Sequence, residues 1–425
     1  MSNDGRSREV APFVTLITLM LAVFTVSVGY GVVLPLLPYL IERLPSAGTS
    51  PAEVSRHTGL LTGVYTLALF LFAPVWGRAS DRVGRRNVLL AGLFGFGITM
   101  VVFSFVESIF AVYTERFLSG MFAAVVTPVA AAAVGDFPIT GQARARRLAF
   151  VSMAGIAGFL LGPMLSVFIS RLVAAVFLVS PPTGSLKIPL IGTAILAILV
   201  GFAVAFAVPR GRGRDYLKTS EPNSVDETGW LVPKLLILTF IGSTGIGAFE
   251  VGLALRGKQE LGLTPYQIAM MFSECSLVMF LMQAIIFSPG FKPDLTRWLI
   301  SPALALLAGG LFIVPQASNF LLMLAVVSGV AASAGVLSPI LTYWISTKAA
   351  SAQGWEMGKQ TAAASLGVTI GSAAGGMLFN ISALPGASFI FAGALAALGF
   401  VLSLGLPRIL VPANPEDRAI ASVRP

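Results

Sequence analysis

Long apolar runs separated by short polar segments make up most of the chain. Each run is close to the ~20 residues that an α-helix needs to cross the hydrocarbon core of a bilayer. The twelve runs occupy residues 12–37, 58–76, 88–106, 109–134, 148–170, 187–208, 233–256, 265–288, 297–315, 318–345, 359–381 and 386–407. Because a backbone in lipid must satisfy its own hydrogen bonds, the pattern predicts an all-α polytopic membrane protein with twelve transmembrane helices.

The longest polar stretch, residues 209–232, is rich in glycine, proline and charge and divides the runs into six plus six. This composition is typical of a flexible linker. Two sets of six helices suit the paired repeats of many secondary transporters. We therefore predict an N-terminal six-helix bundle over 1–208, a linker over 209–232, a C-terminal six-helix bundle over 233–410 and a tail over 411–425.

Charged residues are scarce and unevenly placed. Lys and Arg number 28 and Asp and Glu 19 among 425 residues, so 11% are charged, where a soluble domain has roughly 25%. This scarcity excludes a soluble enzyme, a nucleic-acid binder and a disordered chain. With the N-terminus in the cytoplasm, 21 basic residues fall on the inner side and six on the outer side. This is the positive-inside distribution, so both termini and the linker are predicted to be cytoplasmic.

The chain has one cysteine, Cys275, and one histidine, His57, which limits the catalytic and metal sites that it could form. These two residues cannot build an intramolecular disulfide, a zinc-hydrolase site or a set of histidines for acid–base catalysis. We predict that the protein is not an enzyme and holds no metal and no cofactor. Because His57 lies between two apolar runs, we expect it to be an exposed loop residue.

The loop between the second and third runs carries the most specific motif. It reads GRASDRVGRR over residues 77–86. Its glycines permit a tight turn, and its acid can accept charge-assisted hydrogen bonds from the surrounding cations. The spacing Gly-x-x-x-Asp-Arg-x-Gly-Arg-Arg resembles the signature loop of the major facilitator superfamily. The matching residues are Gly77, Asp81, Arg82, Gly84, Arg85 and Arg86.

Two further stretches resemble the twelve-helix drug:H+ antiporter branch, the tetracycline-efflux type, of that superfamily. They are residues 61–90 and the pair Asp136 and Arg144. The likeness covers most of the N-terminal half and is weak in the second half. It implies two six-helix bundles around a central cavity, alternating access, and a monomer in the bacterial inner membrane. It also implies that Asp136, Arg144 and the signature loop form a cytoplasmic gate against helix eleven.

The fifth run carries a face of small residues. Gly158 and Gly162 are four residues apart, which permits close helix packing, and Pro163 adds a bend. Spacing alone is equally consistent with generic tight packing. The Gly-x-x-x-Gly-Pro pattern resembles the antiporter motif, which implies that this helix seals the two halves and favours exchange over leak. The eleventh run has the same four-residue spacing of small residues at Gly367, Gly371 and Gly375. This repeat indicates that the two halves arose by duplication.

Charges inside helices are candidates for coupling, because each costs roughly 2.5–3.5 kcal/mol on insertion scales. Arg116, followed by Ser119 and Gly120, resembles the helix-four motif of the superfamily, with serine in place of glutamine. The resemblance implies an arginine that faces the cavity and takes part in proton and substrate binding. The alternative is an arginine that snorkels or pairs with a neighbour. We expect Glu115 to be a poor partner, because adjacent side chains diverge by about 100° around a helix.

Glu250 in the seventh run and Glu274 in the eighth are candidate proton carriers, with Glu115 a weaker one. A carboxyl in an apolar helix can load and release a proton near neutrality. The alternative is a glutamate near a helix end that pairs with Arg256 or Lys258.

One departure from the tetracycline-type pattern bears on the proton site. Relatives of that type carry an aspartate in helix one, where this chain has Val26. The proton site must therefore lie elsewhere, and the resemblance does not transfer tetracycline as the substrate.

Aromatic and polar residues within the runs could line a cavity for an amphipathic ligand. The candidates are Phe24, Tyr30, Phe122, Phe249 and Gln283. Aromatic rings also fill cores and membrane interfaces, and packing is the favoured interpretation for each of them. We predict proton-coupled efflux of a small amphipathic compound, with the substrate, protons and membrane lipid as partners. The alternatives are export of a metabolite such as a siderophore or sugar, and a non-transporting receptor or scaffold with a filled central cavity.

Overall fold

A computed structural model describes residues 4–44, 50–136, 141–177, 187–210, 230–286, 288, 293–348 and 353–410. Within these ranges the regular structure consists of α-helices and short 3-10 segments, without strands. The helices are α1 (Asp4–Val33), α2 (Leu37–Arg43), α3 (Pro51–Val83), α4 (Arg85–Phe103), α5 (Ile109–Ala123), α6 (Val126–Gly135), α7 (Gly141–Phe177), α8 (Lys187–Ala207), α9 (Leu231–Gln259), α10 (Pro265–Ile286), α11 (Ile300–Ile313), α12 (Phe320–Lys348), α13 (Gln353–Met377), α14 (Ala387–Ser403) and α15 (Leu406–Ile409).

Each of the twelve predicted runs lies on a helix or on a consecutive set of helices. The first run continues from α1 through a 3-10 turn at Leu34–Leu36 into α2, because Pro35 and Pro38 remove backbone donors. The fourth run divides into α5 and α6 close to Pro128 for the same reason. Ten of the units in the described residues are long and apolar enough to cross a membrane. The predicted all-α fold is confirmed.

The N-terminus of α3 differs from the expectation. Ser50 and Glu53 form a capping box, in which the Ser50 hydroxyl accepts from the Glu53 N–H at 3.2 Å. The helix therefore begins at Pro51, before the apolar run. As a result His57 is a half-buried helical residue whose Nδ1 lies 2.9 Å from the Tyr113 hydroxyl. The prediction of an exposed loop histidine was wrong.

In each half, a helix with a face of small residues packs closely against the first helix of that half. A Cβ at Gly158 of α7 would lie 2.3 Å from the carbonyl oxygen of Phe24 in α1. In the second half a Cβ at Gly371 of α13 would lie 2.1 Å from the carbonyl oxygen of Thr244 in α9. These contacts require glycine. The same packing thus occurs in both halves, in keeping with the repeated sequence pattern.

The two halves meet along α3 and α13. A Cβ at Gly59 would lie 2.8 Å from the Gly376 Cα, and the Thr66 and Thr369 hydroxyls are 2.9 Å apart. We call the end of the bundle that holds Gly59 the outer end. The opposite end, which holds Asp81, is the inner end. Both names follow the orientation that the charge distribution predicts.

Candidate functional site: a central cavity and its charged neighbours

A cavity of about 330 Å³ lies between the two halves. Helices of both halves contribute to its wall, which is mostly apolar. Its larger side chains include Tyr30, Tyr65, Phe159, Phe249, Glu250 and Phe272. Among the described lining residues Glu250 is the one charged side chain. An apolar chamber with few polar groups is typical of a small-molecule site.

Tyr30 and Glu250 join the two halves directly. The Tyr30 hydroxyl on α1 donates to Glu250 Oε2 on α9 at 2.8 Å. The other lining residues of these helices include Val26 and Ile246, one turn closer to the inner end. The bond therefore forms the outer limit of the cavity along α1 and α9. Both residues were predicted for the site, but no sequence pattern pairs them.

The Tyr30 ring stacks on rings from two other helices. It stacks on Tyr65 of α3 with centroids 5.4 Å apart and an interplanar angle of 23°. It also stacks on Phe159 of α7 at 5.6 Å and 29°. Phe159 in turn meets Phe272 of α10 edge-on at 5.9 Å. Tyr65, Phe159 and Phe272 were missed at the sequence level, because core-filling rings occur throughout the chain.

Arg116 pairs with Glu115, its neighbour in the sequence, which we expected to be a poor partner. Its Nε donates to Glu115 Oε2 at 2.8 Å and its Nη2 donates to Oε1 at 3.2 Å. The two side chains are only 3% and 2% exposed. The expectation of a poor partner was wrong, because the arginine is long enough to bend back and an isolated buried charge costs more than the bend.

The guanidinium of Arg116 is also enclosed by rings. Its Cζ lies 4.5 Å from the ring centroid of Phe103 and 5.4 Å from that of Tyr65. Tyr65 lines the cavity, whereas neither Arg116 nor Glu115 is among the lining residues. The ion pair therefore lies one side chain behind the cavity wall. The resemblance had implied instead an arginine that faces the cavity.

Glu274 lies in a different place from Glu250. It accepts a hydrogen bond from the Ser328 hydroxyl across the seam between α10 and α12. Its Oε2 has no hydrogen-bond partner among the described residues. On α10 it lies between Met270 and Leu277, two apolar residues that are exposed at the surface of the bundle. It is not among the residues that line the cavity.

The remaining cavity candidates separate into lining and packing residues. Phe249 lines the cavity. Phe122 packs against Gly95 of α4, and Phe24 packs against the core beside Gly158. Gln283 is 1% exposed, and neither atom of its amide has a hydrogen-bond partner among the described residues. The last three are absent from the lining of this cavity.

The signature loop forms a compact ion network at the inner end. Gly84, at φ +100°, ends α3. Arg85 Nη1 then contacts Asp81 Oδ1 at 2.5 Å, and Arg85 Nε contacts Asp136 Oδ2 at 2.9 Å. Gly77 is buried nearby, while Arg82 is exposed and Arg86 half-buried. The structure thus unites Asp81, Arg85 and Asp136 within the first half.

Arg144 of the predicted gate and Pro163 of the predicted antiporter motif are both helical positions in α7. Their side chains lie outside the described residues.

The outer end is closed by contacts between α2 and α9. Lys258 forms an ion pair with Glu42 and donates to the Pro38 carbonyl oxygen at 3.0 Å. Its Nζ lies 4.7 Å from the ring centroid of Tyr39. Gln259 donates to Ser55 Oγ of α3 at 3.0 Å. The alternative pairing of Glu250 with Lys258 is not formed, because Lys258 is engaged here.

Two helical halves that enclose an apolar chamber, with a single carboxyl among its described lining residues, define an integral membrane protein of the transporter class. The chain belongs to the Major Facilitator Superfamily, whose sequence profile matches residues 19–355.

Its relatives in sequence include bacterial drug-resistance proteins. It is 25% identical to Multidrug resistance protein 2 of Bacillus subtilis over 417 residues, which cover 95% of this chain and 96% of that protein. It is 23% identical to the quinolone resistance protein NorA of Staphylococcus aureus over 363 residues, 84% of this chain and 88% of NorA.

Solved structures share the fold. The crystal structure of the human organic anion transporter MFSD10 (TETRAN) superimposes with a TM-score of 0.73 at 19% identity, covering 92% of this chain and 99% of that one. The xylose transporter XylE of E. coli gives 0.71 at 16% identity, covering 94% and 98%. The major facilitator fold predicted from the signature loop is confirmed.

Proposed function

We propose that this protein exports a small amphipathic organic cation in exchange for protons, by alternating access. The observation that carries the proposal is the cavity, in which one carboxyl, Glu250, stands among aromatic rings with no basic residue among the described lining residues. Relatives named for multidrug and quinolone resistance support efflux. We further propose the bacterial inner membrane, cytoplasmic termini, a monomer, and the two bundles over 1–208 and 233–410.

The chemistry of the wall favours a flat, monovalent and largely apolar cation. Aromatic faces attract cations, and a carboxylate in an apolar site attracts them more strongly. A sugar would need many free polar partners, whereas this mostly apolar wall offers six hydroxyls among its described residues, of which that of Tyr30 already donates to Glu250 and that of Thr66 to the Thr62 carbonyl oxygen. The open chamber of about 330 Å³ also weighs against a scaffold with a filled centre.

Glu250 supplies a simple basis for exchange. A carboxylate can hold either a proton or an organic cation, and the neutral acid has little attraction for a cation. In the exchange that we propose, a proton arriving from outside displaces the cation from Glu250, and loss of that proton on the inner side restores the binding charge. The Tyr30 hydroxyl, which donates to Glu250 Oε2, orients the carboxyl in the outer-closed state.

The proposal is tested by reconstituting the purified protein in proteoliposomes with an acidic interior. We expect accumulation of the flat monocation ethidium and no accumulation of neutral or anionic dyes of similar size. A protonophore that collapses the proton gradient should release the ethidium. Accumulation that survives complete collapse of the gradient would refute proton coupling, and preferential transport of an anion or a sugar would refute the substrate class.

A second prediction concerns the closure of the outer end by Lys258. Replacing Lys258 with methionine removes the Glu42 ion pair and the bond to the Pro38 carbonyl. The outer end should open more often, by about fivefold or more, because a hydrogen bond to a charged group contributes about 1 kcal/mol or more. Cys275, the single cysteine, lines the cavity and reports the opening. A membrane-impermeant maleimide added outside should label it correspondingly faster.

The matched control is Lys187→Met, which removes an exposed lysine at the start of α8 on the predicted outer side. Its labelling rate should equal that of the unmodified protein. Equal rates in all three proteins would show that Lys258 does not hold the outer end closed.

A further inference from the structure

Aromatic rings and one ion pair form a continuous column of contacting side chains. The ion pair lies behind the cavity wall, and the rings line the cavity. The members of the column, in spatial order, are Glu115, Arg116, Tyr65, Tyr30, Phe159 and Phe272. They come from α5, α3, α1, α7 and α10, so the column begins in the first half and ends in the second. Tyr30, near its middle, is the member that binds Glu250.

The column fixes a ring that could otherwise turn. A tyrosine hydroxyl keeps a partner only when the side-chain torsions of the tyrosine are held, and rings stacked on it restrict those torsions. Tyr30 has two such rings, Tyr65 at 5.4 Å and Phe159 at 5.6 Å. Tyr65 is itself buried and lies beside the Arg116 guanidinium. The guanidinium in turn is held by Glu115 through two hydrogen bonds.

We infer that Tyr65 and the Glu115–Arg116 pair are positioning residues that act on Glu250 through Tyr30. This inference rests on the proposed role of Glu250 as the proton site. It assigns to Arg116 a function without contact with substrate, since Arg116 is absent from the cavity lining. It also assigns a function to the Tyr65 ring rather than to its hydroxyl.

The carboxyl itself provides a readout that needs no substrate. Infrared difference spectra of the purified protein between acid and alkaline pH should contain the carboxyl stretch of a buried glutamic acid, and the band that is lost in Glu250→Gln would be assigned to Glu250. The titratable side chains that line the cavity with it, among the described residues, are Tyr30, Tyr65 and Cys275. Of these, Tyr30 is the one that donates to it.

The test compares variants of Tyr65 with Tyr30→Phe. Removing the Tyr30 hydroxyl should move the midpoint of the Glu250 band by about one pH unit, as expected for one lost hydrogen bond. Tyr65→Leu, which removes the stacked ring, should move it in the same direction, and the Tyr30→Phe/Tyr65→Leu double variant should move it no further. Tyr65→Phe keeps the ring and should titrate like the unmodified protein. Tyr266→Leu, at an exposed α10 position, is the control.

Three outcomes would overturn the inference. They are an unmoved midpoint in Tyr65→Leu, additive shifts in the double variant, and a Tyr65→Phe variant as altered as Tyr65→Leu. Arg116→Lys gives a second route to the answer, because it keeps a positive charge but cannot form the paired hydrogen bonds to Glu115. It should shift the midpoint in the direction of Tyr30→Phe. A shifted band in a protein that moves no ethidium would refute the proposed function and leave the inference standing.

Discussion

Proton-driven accumulation of ethidium is expected to be lost when Glu250 is replaced by glutamine. Glutamine has nearly the same shape and can still accept a hydrogen bond from Tyr30, but it can neither release a proton nor carry a negative charge. The cavity would then lack its one charged lining group among the described residues. We expect the initial rate in inside-acid proteoliposomes to fall at least about tenfold, a loss of roughly 1.4 kcal/mol in the rate-limiting step.

Glu274→Gln is the matched control for this prediction. Both glutamates lie within apolar helices, but Glu274 binds Ser328 in the seam between α10 and α12 and does not line the cavity. The variant should retain most of the ethidium accumulation. If instead Glu274→Gln abolishes accumulation and Glu250→Gln preserves it, the proton site has been assigned to the wrong glutamate.

Much of the fold could be predicted from the sequence, because the bilayer imposes the strongest constraint. Twelve runs of suitable length predicted the helices, and the signature loop predicted the superfamily. In the structure Asp81 and Arg85 of that loop meet Asp136, which a separate resemblance had suggested, while the role of these residues as a gate stays a prediction. The start of α3 could also have been predicted, since Ser50 and Glu53 have the spacing of a capping box.

The candidate site was harder to predict, because its contacts join residues distant in the chain. The Tyr30, Tyr65 and Phe159 rings lie on three helices, and no local pattern distinguishes them from the many rings that fill the core. The difference between Glu250 and Glu274 depends on which side of a helix faces the cavity. Helices apolar all round carry little information about that side. The pairing of Glu115 with Arg116 depends on side-chain conformation, which residue spacing alone does not determine.

The stability of the first half is expected to depend strongly on the pair formed by Glu115 and Arg116. Arg116→Leu leaves the Glu115 carboxylate buried without its partner, since both side chains are nearly inaccessible. Removing one member of such a pair destabilises a fold by about 3–5 kcal/mol. Thermal unfolding of the purified protein in detergent should therefore show a marked fall in the midpoint temperature of Arg116→Leu.

The double variant Glu115→Leu/Arg116→Leu separates stability from positioning. Replacing both charges with apolar residues should restore most of the unfolding temperature, because no unpaired charge remains buried. Ethidium exchange should nevertheless stay impaired, since leucine cannot hold Tyr65 as the guanidinium does. Full recovery of both stability and exchange would show that the ion pair serves packing alone. A double variant as unstable as Arg116→Leu would show that the buried carboxylate was not the cause of the loss.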